Sequence, residues 1–102
     1  MKQLTRSDET FLVAIHCLGD DAFSTSILDE LKRRVGKKVT VGSLWVSLDS
    51  LADRGYLRKN PRPGASVGRP RVYYALTPKG RRALIRAREN HEQLWADVPA
   101  LR

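Results

Sequence analysis

Between Arg54 and Arg88 the chain has neither an aspartate nor a glutamate. Eleven of its 19 lysines and arginines lie in that stretch, and all 11 acids lie outside it, so the whole +8 excess is gathered there. Such segregation suits a polyanion partner, most simply nucleic acid, although a solvated basic surface has the same composition. Cysteine is scarce as well: Cys17 is alone, which excludes an internal disulfide and fits a reducing compartment. No apolar run approaches the roughly 18 residues that a membrane span needs. The opening residues, MKQLTRSDET, contain no signal-peptide core, so a cytoplasmic location is expected. A length of 102 residues suits one domain with a modest core, which oligomerisation would help to stabilise.

Within these limits the pattern is mostly helical. Phe11, Leu12, Ile15 and Leu18 recur at helical spacing over about residues 8–18, with Thr5 or Ser7 as the cap and Gly19 past the end. Ser24 or Thr25 opens a second helix with Ile27, Leu28, Leu31 and Val35 inward, and Gly36 closes it. Lys37 to Val39 read as a minimal strand. Thr40 then caps a third helix over 41–54, whose inward ladder is Val41, Leu44, Leu48 and Leu51, with Gly55 at its end. Residues 56–60 form a strand, 61–68 a turn-rich loop, and 69–77 a returning strand. Alternation assigns Val72, Tyr74 and Leu76 to one face of that strand and Arg71, Tyr73 and Ala75 to the other. Thr77 caps a fourth helix with Pro78 in its first position, running until Pro99 stops it.

Three helices followed by a basic hairpin is the element order of a winged helix-turn-helix. The fold class expected is mainly α with a small β-hairpin. Residues 1–77 form the DNA-binding domain, and residues 78–102 form a C-terminal dimerisation helix. A major groove about 12 Å wide admits one helix, and small residues such as Ser43 and Ser47 keep its reading face slim. An arginine-rich hairpin can follow the neighbouring backbone or minor groove. In this arrangement Tyr74 anchors the wing to the core, and the helix start at TPKGRR offers further amides and arginines to phosphate.

The segments VTVGSLWVSLDSLADRGYLRK and GRPRVYYALTPKGRRAL resemble the PadR family of bacterial transcriptional regulators over about residues 4–88. The likeness lies in the Gly-x-Leu-aromatic start of the third helix, its leucine ladder, and the Gly-Arg…Tyr-Tyr-x-Leu-Thr-Pro-x-Gly ending. It implies a homodimer joined through the C-terminal helix, a third helix that reads operator DNA, a hairpin that touches backbone, and repression as the outcome. Carried over by position, Thr40, Ser43 and Ser47 lie at the groove. Trp45 stands where tyrosine is usual, and either donates to a phosphate or packs in the core. Val72 stands where lysine is common, which weakens the wing at that point. Arg58, Lys59, Arg69 and Arg71 are the wing and backbone contacts. On the fourth helix Ala87, His91, Leu94, Val98 and Leu101 trace an apolar stripe beside Trp95, which either packs on the first helix or pairs with a second copy. Short family members hold planar hydrophobic effectors between subunits, and Trp95 is the residue that would line such a site here.

Other chemistries fit poorly. GKKVTVGS has five residues between its glycines and no lysine after the second, which breaks the phosphate-loop pattern. His16 and Cys17 are adjacent but lack a second pair at zinc-finger spacing, so neither a metal nor a cofactor is expected. No Gly-x-Ser-x-Gly elbow or acid–base pair marks an enzyme. The alternative with substance is a winged-helix protein-interaction module without sequence-specific DNA binding. RNA is a third candidate partner, disfavoured by the scarcity of stacking aromatics.

Overall fold

The computed structural model describes residues 4–36, 39–63 and 70–101. The expected basic wing tip at 64–69, including Arg69, and the lysines at 37 and 38 lie outside the described residues. Four helices and one antiparallel hairpin follow in the order α1 (Arg6–Leu18), α2 (Ser24–Val35), α3 (Val41–Asp53), β1 (Leu57–Pro63), β2 (Pro70–Leu76) and α4 (Pro78–Trp95). This is a winged helix-turn-helix.

Three of the four helices begin where a threonine side chain supplies an acceptor for an orphan amide. Thr5 accepts from the Asp8 amide while the Asp8 carboxylate accepts from the Thr5 amide, a full capping box for α1. Thr40 accepts from Ser43 and Thr77 from Gly80 in the same way. At α2 the residue before the helix is Phe23, which has no side-chain acceptor, so neither Ser24 nor Thr25 is the cap. Ser26 compensates in part, because its Oγ accepts from the Phe23 amide at 3.0 Å and donates to the Asp21 carbonyl at 2.6 Å. Helix α3 ends at Gly55, whose φ of 87° suits a residue without a Cβ. There the Gly55 amide donates to the Ala52 carbonyl at 3.0 Å and the Tyr56 amide to the Leu51 carbonyl at 2.9 Å, the paired bonds of a Schellman turn.

The core is where the three N-terminal helices meet the inner face of the hairpin. It comprises Phe11, Leu12, Ala14 and Ile15 of α1, Ile27 and Leu31 of α2, Leu44, Leu48 and Leu51 of α3, with Ala22, Tyr56, Leu57 and Tyr74. Val41 and Val35, expected inward, are exposed. Each sits in a terminal turn, beyond the rim of the core that the middle of its helix covers.

In the hairpin Leu57 pairs with Leu76, Lys59 with Tyr74, and Pro61 with Val72 on the face turned to the core. On the outer face Arg58 pairs with Ala75, Asn60 with Tyr73, and Arg62 with Arg71. Strand β1 therefore continues through Pro61 and Pro63, where a loop was expected. An edge strand tolerates proline because its outward amides have no strand to bond. The other edge of β2 is met by Phe23, which bridges Tyr73, with the Tyr74 amide donating to the Ala22 carbonyl at 2.8 Å. This is an isolated one-residue bridge beside the two-stranded hairpin. Of the minimal strand expected at 37–39, Val39 is in no strand and the two lysines lie outside the described residues.

Two long-range joints fix the layers. Arg54, at the end of α3, makes a two-pronged ion pair with Asp8 of α1, both bonds at 3.0 Å. The second joint fuses α4 to the turn after α3. Thr77 donates from its amide to the Tyr56 carbonyl at 3.1 Å and from its hydroxyl to the Gly55 carbonyl at 2.5 Å. Lys79 Nζ donates to the Arg54 carbonyl at 2.7 Å and lies 4.9 Å from the centre of the Tyr56 ring. Gly80 is buried directly against the Tyr56 backbone, so close that a Cβ there would overlap the carbonyl oxygen. Beyond this joint α4 projects outward. The radius of gyration is 15.2 Å, against about 13 Å for a compact chain of this length.

Both joints give testable outcomes. Gly80→Ala should lower stability by about 1–3 kcal/mol through overlap with Tyr56, although alanine is the better helix former by about 1 kcal/mol. A melting temperature at or above the original would contradict the close approach. The Arg54 guanidinium holds the Asp8 carboxyl below its usual range. The stability gained is therefore fully present above the unfolded-state pKa of about 3.9 and is lost as pH falls through the lower folded value. Asp8→Asn should cost about 1.5–3 kcal/mol at pH 7. The gap between the two proteins' melting temperatures should close in acid and should not widen.

Candidate nucleic-acid interface

Helix α3 presents an uncharged N-terminal half. From Val41 to Leu48 no residue carries a charge, and Leu44 and Leu48 point into the core. Opposite them, by the 100° step of an α-helix, lie Gly42 and Val46. Val46 is 71% exposed and is the outermost side chain of this half. Ser43 is exposed beside it, whereas Ser47 is half-buried at the flank. Thr40 is exposed, but its hydroxyl oxygen already accepts from the Ser43 amide at 3.1 Å, leaving its O–H to donate outward. Trp45 is 38% exposed, on the surface at the edge of this face and not in the core. The sequence set Val46 on the face opposite the leucine ladder, but neither it nor Gly42 was among the expected DNA contacts.

The C-terminal half of the same helix carries Asp49 and Asp53, both exposed. Lys59 of β1 neutralises the first: its Nζ lies 2.6 Å from Asp49 Oδ1, and that bond raises the Lys59 pKa above its ordinary value. Lys59 thus ties the wing to α3 and is not an unpaired cation. Tyr74 lies next to this pair on the inner face, buried, with a hydroxyl that finds no partner among the described residues. Burial pushes its pKa up.

The basic stretch consequently divides into two sets. Arg54, Lys59 and Lys79 are engaged in joints within the molecule. Arg58, Arg62 and Arg71 share the outer face of the wing. Arg71 lies over Phe23, its guanidinium carbon 4.2 Å from the ring centre, and Arg62 lies over Tyr73 at 4.1 Å. Arg62 was the wing arginine not singled out from the sequence. Its stack depends on β1 extending past Pro61. The start of α4 differs from expectation too. Its first amides are already bonded, Gly80 to the Thr77 hydroxyl and Arg81 to the Thr77 carbonyl, and Gly80 is buried. That helix end is a docking joint, with Arg81 and Arg82 facing solvent beside it.

The distal part of α4 holds the residues expected at a dimer interface. Ala87 is half-buried, while His91, Leu94, Trp95 and Val98 are exposed, Leu94 to 70%. The helix ends at Trp95 rather than near Pro99, so Val98 lies in the short turn after it, its amide donating to the Trp95 carbonyl at 3.3 Å. His91 borders a shallow groove of about 330 Å³ with Arg6, Glu9, Thr10 and Val13 of α1 and Arg34 and Val35 of α2. The His91 and Trp95 rings are 6.4 Å apart. Among the described residues no three His, Cys, Asp or Glu side chains gather as metal ligands, and no helix is long and apolar enough to cross a membrane.

With this geometry in view, comparison with known proteins is informative. The profile of the transcriptional regulator PadR-like family matches residues 15–86. No curated protein matches the chain. Among solved structures, a PadR family transcription regulator from hypervirulent Clostridium difficile superposes with a TM-score of 0.72 at 18% identity, covering 89% of this chain and 91% of that one. A PadR-like transcription factor from Bacteroides fragilis gives 0.71 at 26% identity, with 87% and 84% covered. A winged-helix DNA-binding protein from STIV gives 0.69 at 19% identity, with 91% and 95% covered. The family profile spans well over half of the chain and takes in α3, the wing and the first turns of α4. This protein belongs to the PadR-like family of transcriptional regulators.

Proposed function

We propose that this chain is a homodimeric, sequence-specific DNA-binding repressor that recognises a pseudo-palindromic operator. The observation that carries the reading is the pairing of an uncharged, slim helix face (Gly42, Ser43, Val46) with a wing whose outer face holds Arg58, Arg62 and Arg71. A neutral face meets base edges without the repulsion that acids would bring. Ser43 and the Thr40 hydroxyl can hydrogen-bond those edges, and Val46 can pack against a thymine methyl. The wing arginines, with Arg69, supply phosphate contacts that fix the register of the helix in the groove. Trp45, at the margin of the reading face, donates its indole N–H to the backbone. The role of this chain is in binding rather than catalysis.

Dimerisation rests on the distal half of α4. Leu94 and Trp95 at the end of α4, with Val98 and Leu101 just beyond it, leave apolar surface in water, as suits a segment that pairs with a second copy through residues 78–102. Two α3 helices would then enter successive major grooves about 34 Å apart. Trp95, beside that interface, is the residue positioned to stack on a planar hydrophobic effector whose binding releases the operator.

Fluorescence anisotropy on a duplex from upstream of the protein's own gene, beside a scrambled duplex, tests the reading across a range of salt. Tighter binding to the upstream duplex is expected, with log K falling linearly in log salt on both. Absence of binding to either duplex at low salt would overturn it in favour of a protein-interaction module. Leu94→Glu combined with Trp95→Glu should leave the fold intact, yield monomers by light scattering and remove most operator affinity. A stable dimer in that variant would refute the interface.

A further inference from the structure

On the outer face of the wing four side chains form a continuous stack. Arg62 lies over Tyr73 at 4.1 Å, Tyr73 meets Phe23 edge-on with ring centres 5.4 Å apart and planes at 61°, and Arg71 lies over Phe23 at 4.2 Å. The two arginines are direct partners in the ladder, so two positive charges sit opposite one another on one face. Like charges so placed destabilise a hairpin. Neither forms an ion pair with an acid among the described residues. The aromatic rings offset part of that repulsion through cation–π attraction, which favours each guanidinium staying over its ring.

Stacking uses the face of a guanidinium and leaves its edge donors open. Those edges match a phosphate in two-pronged fashion. An arginine already held over a ring loses less freedom on binding than one free in solvent. Phe23 immediately precedes α2 and also bridges Tyr73 through the backbone, so the pair is mounted on the core of the domain as well as on the hairpin.

We propose that Phe23 and Tyr73 are positioning residues that preorganise Arg62 and Arg71 as a fixed pair gripping the DNA backbone beside the half-site. The proposal rests on the DNA-binding function above and adds to it a second, aromatic layer behind the wing. The pair is a clamp for phosphate and reads no base.

The test compares binding of the intact protein to the upstream and scrambled duplexes across salt, in six forms. These are wild type, Arg62→Lys with Arg71→Lys, Arg62→Ala with Arg71→Ala, Phe23→Leu with Tyr73→Leu, Tyr73→Phe, and the leucine and alanine pairs combined. The lysine pair keeps both charges and does not disturb the core, so it reports on the stack even if the leucine pair folds poorly. Affinity should fall about 2- to 5-fold per stack lost, equally on both duplexes, while Tyr73→Phe should bind like wild type. The arginine-to-alanine changes should cost less affinity in the leucine background than in wild type, because the grip is already loosened. If wild type binds with a steep salt slope and the lysine pair matches it in affinity and slope, the clamp is refuted and the DNA-binding function stands. If wild type itself fails to bind at low salt, both fall together.

Discussion

The contact on which the geometry depends is the one between Gly80 and the Tyr56 carbonyl. Helix α3 ends in the Gly55 turn, and the carbonyls exposed there would need partners if they were left to themselves. Thr77 and Lys79 take three of them, those of Arg54, Gly55 and Tyr56, and the missing Cβ of Gly80 lets α4 approach closely enough to do so. The end of α3, the root of both wing strands and the start of α4 are thereby gathered into one rigid joint. The angle of α3 to the wing, and of both to the projecting α4, follows from it. In a dimer built through α4, the separation of the two α3 helices would be set at this joint.

Charge is arranged around that frame with economy of another kind. A block of eleven basic residues without an acid could have been one undifferentiated positive surface. Instead Arg54, Lys59 and Lys79 are engaged in holding α1, α3, β1 and α4 together, and a separate group of arginines faces outward from the wing. The Lys59–Asp49 pair serves both ends at once: it fastens the wing to α3 and cancels an acid on that helix. Net charge therefore overstates what a polyanion would meet, and the distribution of charge is the better guide.

Much of this was legible in the sequence because the signals are local. Thr5, Thr40 and Thr77 cap where their spacing to the following amides says they should, the leucine ladder of α3 turns inward, and Tyr74 roots the wing. What was not legible is set by neighbours distant in sequence. Pro61 and Pro63 read as loop residues, yet pairing with β2 draws them into a strand whose outer edge needs no amide donors. The bridge from Phe23 to the edge of β2 was not foreseen either, because its partner, Tyr73, lies fifty residues along the chain. Arg62 stacks only because that extension of β1 brings it diagonal to Tyr73. Gly80 looked like a helix-start glycine, and only the packing shows that it answers to Tyr56.

Hydroxyl-radical footprinting on the upstream duplex, combined with interference by base modification in the major groove, would test the central claim most directly. The account predicts two groups of major-groove contacts about ten base pairs apart, each flanked by protected backbone where the wing arginines lie. A single protected patch, or protection without any major-groove interference, would contradict the placement of α3 in the groove and with it the reading of this protein as a dimeric operator-binding regulator.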